Sequence, residues 1–435
     1  MIIKRQIFIL FLFSNLFLLF AGEPIILEYS DSLIGEQDSI INIRKLVGNV
    51  KLRQRNVTLN CNEAIQYIGL NKYDLIGNVI IKQNTLTLKS PEITYNGNTY
   101  IAEAKNGVKI TDKETKLTAN YGTYNTQTLI ADFAGNVLVE DDSTVIYSDY
   151  VQHNRNNRQS NAWGKVLIIG KYTKARLIGD SIVNMPLANF TEVFGNPKLL
   201  QIDTANQNER YDTLFISSIR MKAIRDPDDE RYVAQGNVQV IRNNLQAKAD
   251  NATYFKDRNK ILLENYPVLW YDSTQLFADT IIVYFENNKL KKIEAISKAF
   301  SVSMNDITNA NRKDQMSGKF IEILFENDTL RKINSIGEAR SLYFINTDGQ
   351  PDGLISVGAD KITIEINENK AENIIMFNNI PGEYLPEPLV TNKESNYYLP
   401  GFRLSTEKPQ KIDYSIFEIK NRTKNKGEEL KWKFV

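Results

Sequence analysis

One cysteine and one histidine in 435 residues remove most of the chemistry that a chain of this size could carry. Cys61 has no partner for an intramolecular disulfide and cannot build a cysteine cluster, and His153 alone cannot make a paired-histidine zinc site. No G-x-S-x-G turn and no phosphate loop accompanies that histidine, so a nucleophilic triad or a nucleotide site finds no support. An excess of either charge is missing too: 53 Lys and Arg face 52 Asp and Glu, a net charge of +1. That balance argues against a dedicated nucleic-acid binder. No catalytic residue, metal or cofactor is expected, and the chain reads as a non-enzyme.

Long apolar runs are confined to the start. "MIIKRQIFILFLFSNLFLLFAGEP" places Lys4 and Arg5 before an apolar stretch from Ile7 to Phe20, followed by Ala21 and Gly22. The stretch is shorter than the roughly 20 residues that a membrane-spanning helix needs. Residues 1–22 therefore read as an export signal, with a retained anchor as the alternative, and the mature chain is expected outside the cytoplasm.

What is abundant is repetition. "LVGNVKL" at Leu46–Leu52 returns as "LIGNVII" at Leu75–Ile81, "FAGNVLV" at Phe133–Val139 and "AQGNVQV" at Ala234–Val240. Gly48, Gly77, Gly107, Gly135 and Gly164 are spaced by 29, 30, 28 and 29 residues. Between them runs a second signature: "LTLKSPEITY" at Leu86–Tyr95, "LTANYGTY" at Leu117–Tyr124, "LQAKADNATY" at Leu245–Tyr254 and "LFADTIIVY" at Leu276–Tyr284. A third, "FENNKLKKI" at Phe285–Ile293, returns as "FENDTLRKI" at Phe325–Ile333. A motif repeated this often is a building rule rather than a reaction centre.

Each unit reads as two strands. Ala131, Phe133, Gly135, Val137 and Val139 alternate with other residues at period two, and Ile, Val, Thr and Tyr dominate. The pattern predicts an all-β chain of about ten units of ~30 residues, each too small to bury an apolar face alone, so that neighbours stack around a shared core. Gly would let the backbone bend or bulge at the same place in every rung. Residues 23–184 and 185–390 read as two halves, the second with longer loops, including "DPDDE" at Asp226–Glu230 as a surface loop. Residues 391–435 fall outside the repeat. They carry 10 Lys and Arg against 6 Asp and Glu, and read either as a solvated tail or as a docking segment with contact through "YYLPGFRL", Tyr397–Leu404.

Recurrent "GNV" strands alternating with "L-x-A-D-x-x-x-Y" strands behind an export signal resemble the OstA-like family. This is the organic-solvent-tolerance fold of periplasmic lipopolysaccharide-transport proteins of the LptA type. The resemblance covers most of residues 41–380 and is weakest over 185–231. It implies an elongated, open antiparallel β-jellyroll, solenoid-like in its stacking, whose apolar interior shields the acyl chains of lipopolysaccharide between inner and outer membranes. It further implies other transport components as partners, and end-to-end self-association. The residues read as the lipid-facing row are Val79, Ile81, Val108, Ile110, Val137, Val139, Val166, Ile168, Val238 and Val240, with Tyr95, Tyr124, Tyr254 and Tyr284. The competing reading is a structural or adhesive β-solenoid with a closed core and no cargo.

The remaining chemistry-bearing residues have plainer readings. Cys61 fills a small position that Ser90 and Ala119 hold in other units, and His153 replaces an aromatic. Asp141–Asp142 and Asp228–Asp229 lack a calcium-loop ligand series and read as solvated turns. "KLRQR" at Lys51–Arg55 reads as an exposed strand face.

Overall fold

The computed structural model describes residues 22–37, 42–203, 212–287, 289–304, 309–347, 349–367, 370–410 and 413–418. The expected export signal, apart from Gly22, lies outside the described residues, as do residues 419–435. Among the described residues there are thirty strands and one four-residue α-helix, Glu387–Val390. Every strand pairing is antiparallel, and the fold is β-jellyroll-like, as the sequence predicts. The chain divides into two compact units, residues 1–112 with 121–129 and residues 113–120 with 130–435. The boundary expected at 184/185 falls inside the second unit.

The repeated Gly-Asn-Val is a corner. Strand Ile130–Glu140 pairs with Thr144–Asn154 as Ala134↔Tyr150 and then Val137↔Ser148, so that Gly135 and Asn136 together stand opposite Asp149. Two residues against one is a β-bulge, which bends the strand and lets its two halves join different layers. Gly135 and Asn136 have φ of 77° and 47°, both left-handed. Asn120 donates its backbone N–H to the Gly135 carbonyl at 2.9 Å, and a Cβ on Gly135 would lie 2.9 Å from the Asn120 side-chain nitrogen. Glycine is required on both counts. The same left-handed pair recurs at Gly48–Asn49, Gly77–Asn78, Gly164–Lys165, Gly195–Asn196 and Gly236–Asn237.

Past the corner, valine always meets a small residue: Val50↔Cys61, Val79↔Ser90, Val137↔Ser148, Val166↔Gly179 and Val238↔Ala249. These valines are buried at 0–1% exposure, and a larger partner would overpack the angle. Cys61 is one of these fillers; burial pushes its thiol pKa up to about 11, which keeps it an unreactive thiol.

The first unit is built on strands Asn42–Gln54, Val57–Tyr67, Lys72–Gln83 and Leu86–Asn96 in sequential antiparallel order. The last of these divides its partners. Its start pairs with Val108–Asp112 and its end with Ile101–Lys105. A buried polar ladder runs through this core. Tyr95 donates to Gln54 Oε1 at 2.5 Å, and Tyr124 donates to Gln83 Oε1 at 2.6 Å. Gln54 and Gln83 donate in turn to the carbonyls of Gly97 and Thr126, each at 2.8 Å. Every member is buried, so removing one strands its partner. Tyr124→Phe is expected to cost the first unit about 1–3 kcal/mol, because Gln83 keeps a buried acceptor without a donor. Urea denaturation of the two proteins measures this; a loss below the error of the fit would mean that water replaces the hydroxyl.

In the second unit the strands from Asp229–Arg242 to Gln350–Asn367 close around one core that draws on both layers. Val238, Val240, Leu269 and Leu276 come from one layer, Ile261, Leu263, Ile281, Val283, Ile293 and Ile321 from the other. "DPDDE" is not a long insertion: Asp226 pairs with Asp229 in a tight hairpin between Arg220–Asp226 and Asp229–Arg242.

The expected tail is a strap instead. Val390 and Leu399, with Tyr397, Tyr398 and Phe402, cover Phe277, Phe300, Val302, Leu342, Phe344 and Leu354 on the outer side of the sheet. Further along, Gln275 and Ser405 exchange two hydrogen bonds at 3.1 and 2.9 Å, and Lys248 reaches Glu407. Phe417 ends the crossing, buried against Leu200 and Phe215, while Arg176 donates to its carbonyl at 3.0 Å. "YYLPGFRL" does make a contact, with its own chain. Residues 299–302 are buried on both faces for this reason, and two-sided burial is what a continuous apolar run encodes.

Candidate functional site

The residues expected to line the interior separate into three groups. In the first unit Val79, Ile81, Val108, Ile110, Tyr95 and Tyr124 are all buried. In the second unit Val137, Val166, Val238 and Val240 are buried as well. Val139, Ile168 and Tyr254 are half-buried on the inward face. Tyr284 does not belong with them: its neighbour Val283 occupies the core, and Tyr284 takes the opposite face. There it donates to Glu294 at 2.8 Å under the ammonium of Lys292. The cause is a one-place slip. The interior aromatic stands four residues after the corner-facing position, as in Asn120 to Tyr124 and Asp250 to Tyr254, and four residues after Asp279 is Val283.

Val139 and Ile168 belong to a continuous cross-strand row. Val139 pairs with Ile146, Ile146 with Ile168, Ile168 with Leu177, Leu177 with Leu199 and Leu199 with Ile216. All six are half-buried, and at ~4.8 Å per strand they extend for about 24 Å. The row continues as Ile216↔Val240↔Ala247↔Leu269↔Leu276, and from Val240 onward those residues are fully buried. One wall is thus partly open over residues 139–216 and closed over 238–276.

Aromatic side chains make the closure. Tyr254, Tyr271 and Phe285 pack against the closed core from its rim. Tyr271 meets Phe325 edge to face at 5.0 Å and donates to the Asp328 carbonyl at 2.8 Å, while Arg242 lies 4.3 Å above Phe285. Apolar side chains left half in water over six adjacent strands are an unsatisfied surface, of the kind that binding sites use.

The other wall differs. Its deep row is apolar and buried: Phe133, Val151, Ala162, Ile182 and Val193 pair in turn. One step toward the rim, the row becomes polar: His153↔Ser160↔Asn184↔Thr191. His153 Nδ1 and Ser160 Oγ share a hydrogen bond of 2.8 Å. Thr191 donates to Asn184 Oδ1 at 2.7 Å and accepts from Arg225 Nη1 at 2.8 Å. Beyond Ala223 the row returns to tyrosine, with Tyr232 and Tyr254 stacked at 6.4 Å. Burial works to raise the Glu230 carboxyl, yet hydrogen bonds from Lys256 and Tyr232 prevail and hold it below its ordinary pKa. Tyr232 is pushed up to about 12 by burial and by that bond. The sequence did hold a signal for the polar row: His153 and Asn184 stand four residues after Asp149 and Asp180, in the slot that Tyr95, Tyr124 and Tyr254 fill elsewhere. One histidine among aromatics resembles drift, so the linear pattern alone does not reveal the row.

Among the described residues no cluster of His, Cys, Asp and Glu could hold a metal ion. Residues 23–161 match the family model described as OstA-like protein. Residues 116–289 match the model described as LptA/(LptD N-terminal domain) LPS transport protein. Among solved structures, LptH, the LptA homologous periplasmic component of the lipopolysaccharide transport device from Pseudomonas aeruginosa, is 13% identical. That match covers 33% of this chain and 95% of that one, with a TM-score of 0.26. None of the curated proteins compared matches the chain. Across residues 23–289 the chain belongs to the OstA-like family of lipopolysaccharide-transport proteins.

Proposed function

We propose that this chain is a non-enzymatic periplasmic carrier that shields lipopolysaccharide acyl chains on their way from the inner to the outer membrane. Other transport components, or further copies of the chain, would be its neighbours. The observation that carries the reading is the half-buried row Val139, Ile146, Ile168, Leu177, Leu199 and Ile216. Each methylene laid against such a row is worth ~0.8 kcal/mol, so an acyl chain is held without any chemistry. The fully buried members of the expected row, such as Val79 and Val238, would support the walls rather than touch cargo. The closed core over residues 238–364 favours the alternative, a cargo-free structural β-solenoid, but only for that section.

A photo-crosslinking amino acid at Ile168 is expected to capture lipopolysaccharide in the native cell, while the same group at Tyr172, 78% exposed on the following turn, is not. Equal capture at the two positions would remove the carrier reading.

A further inference from the structure

The two walls of the half-open section differ in chemistry, and a carrier of plain hydrocarbon would have no use for the difference. Inward polar groups in an otherwise apolar interior are costly unless they find partners. Here they form a run: His153, Ser160, Asn184 and Thr191 are consecutive cross-strand neighbours, with Arg225 folded back onto Thr191. They stand one step nearer the rim than the buried row Val151, Ala162, Ile182 and Val193. On flanking strands the same position holds apolar or aromatic residues, Ala131 before the run and Ala223, Tyr232 and Tyr254 after it. The polarity is therefore local to the strands whose opposite wall is half-open.

We infer that this row is a binding shelf for the oxygen-rich linkage of an acyl amphiphile. The chain lies along Val139–Ile216 on one wall, and the ester or amide carbonyl that joins it to the head accepts hydrogen bonds from the other. The shelf holds donors in the Asn184 amide and the Arg225 guanidinium, while Thr191, whose one proton goes to Asn184 Oδ1, orients that amide. Its position near the rim sets how deep the chain can enter, since the linkage stops where the donors are. The inference rests on the carrier role proposed above and names the chemical class that the site selects.

Two neutral twelve-carbon surfactants with disaccharide heads separate the possibilities: sucrose monododecanoate, joined by an ester, and dodecyl maltoside, joined by a glycosidic oxygen with no carbonyl. Binding of each to the chain from residue 23 onward is measured by calorimetry below its micelle concentration. The native protein is expected to bind the ester about fivefold to tenfold more tightly, the effect of one or two hydrogen bonds. Asn184→Leu combined with Thr191→Val, both close in size to the originals, should bring the two ligands within about twofold of each other. Because the readout is a ratio on one protein, a smaller folded fraction does not move it. Ile168→Asp should weaken both ligands together. An ester preference that survives in the double variant, or is missing from the native chain, overturns the shelf. Ile168→Asp without effect on either ligand overturns the carrier reading instead.

Discussion

Gly195→Ala is expected to destabilise the second unit by about 2–5 kcal/mol, the sum of left-handed strain and steric overlap. Gly195 has φ 80°, and a Cβ there would lie 2.2 Å from Asp180 Oδ2 and 2.4 Å from Asp180 Cβ. The carboxylate could swing away, but its Cβ is held by the strand, so the backbone of the corner must open. Gly349→Ala separates the two contributions. Gly349 has almost the same φ, 78°, with nothing within 4 Å of the added methyl, and should cost only the strain, about 1–2 kcal/mol. Urea unfolding of both variants measures the difference. Equal losses would mean that the corner tolerates the methyl, and that glycine recurs there for its dihedral angles alone.

Ending the chain at Pro386 is the second large effect. The truncation uncovers Phe277, Phe300, Val302, Leu342, Phe344 and Leu354, all buried under the strap. It also removes Val390, Leu399 and Phe417, each worth ~1.5–3 kcal/mol when fully buried. The truncated protein should bind a hydrophobic dye, self-associate as its concentration rises and melt well below the full chain, since so broad an apolar patch is uncommon on a soluble surface. Leu399→Ala tests the same contact more gently, at about 2–5 kcal/mol. A truncated chain that stays monomeric and melts within about 2 °C of the original would show that the strap contributes almost nothing to stability.

Under the carrier role proposed above, the half-open section bears on how a cargo would avoid being trapped. A row buried from end to end, like Val240 to Leu276, has no room for a ligand without unpacking. A row left fully open would expose a patch that recruits other proteins. Half burial over six strands is intermediate, with the side chains ordered by their neighbours and still reachable. The aromatic rim at Tyr271, Phe285 and Phe325 marks where that access ends within the second unit.

Much of this was legible in the residues. Period-two alternation and the roughly thirty-residue recurrence of Gly-Asn-Val determined an antiparallel stack with a corner in each repeat, because only glycine and asparagine enter left-handed angles cheaply. The same periodicity placed Val79, Val137, Val166 and Val238 inside. Three things depended on tertiary structure. Tyr284 looked like Tyr254 in the linear motif, yet a one-residue offset carries a strand side chain to the other face. Residues 391–418 looked like a solvated tail because prolines break their periodicity, whereas burial there comes from a distant sheet that local pattern cannot report. Which part of a uniform apolar row stays open was also beyond the sequence. Val139 and Val240 have the same neighbours in pattern, and it is the packing of Tyr271, Phe285 and Phe325, near the ends of other strands, that goes with the closed section and is missing from the half-open one.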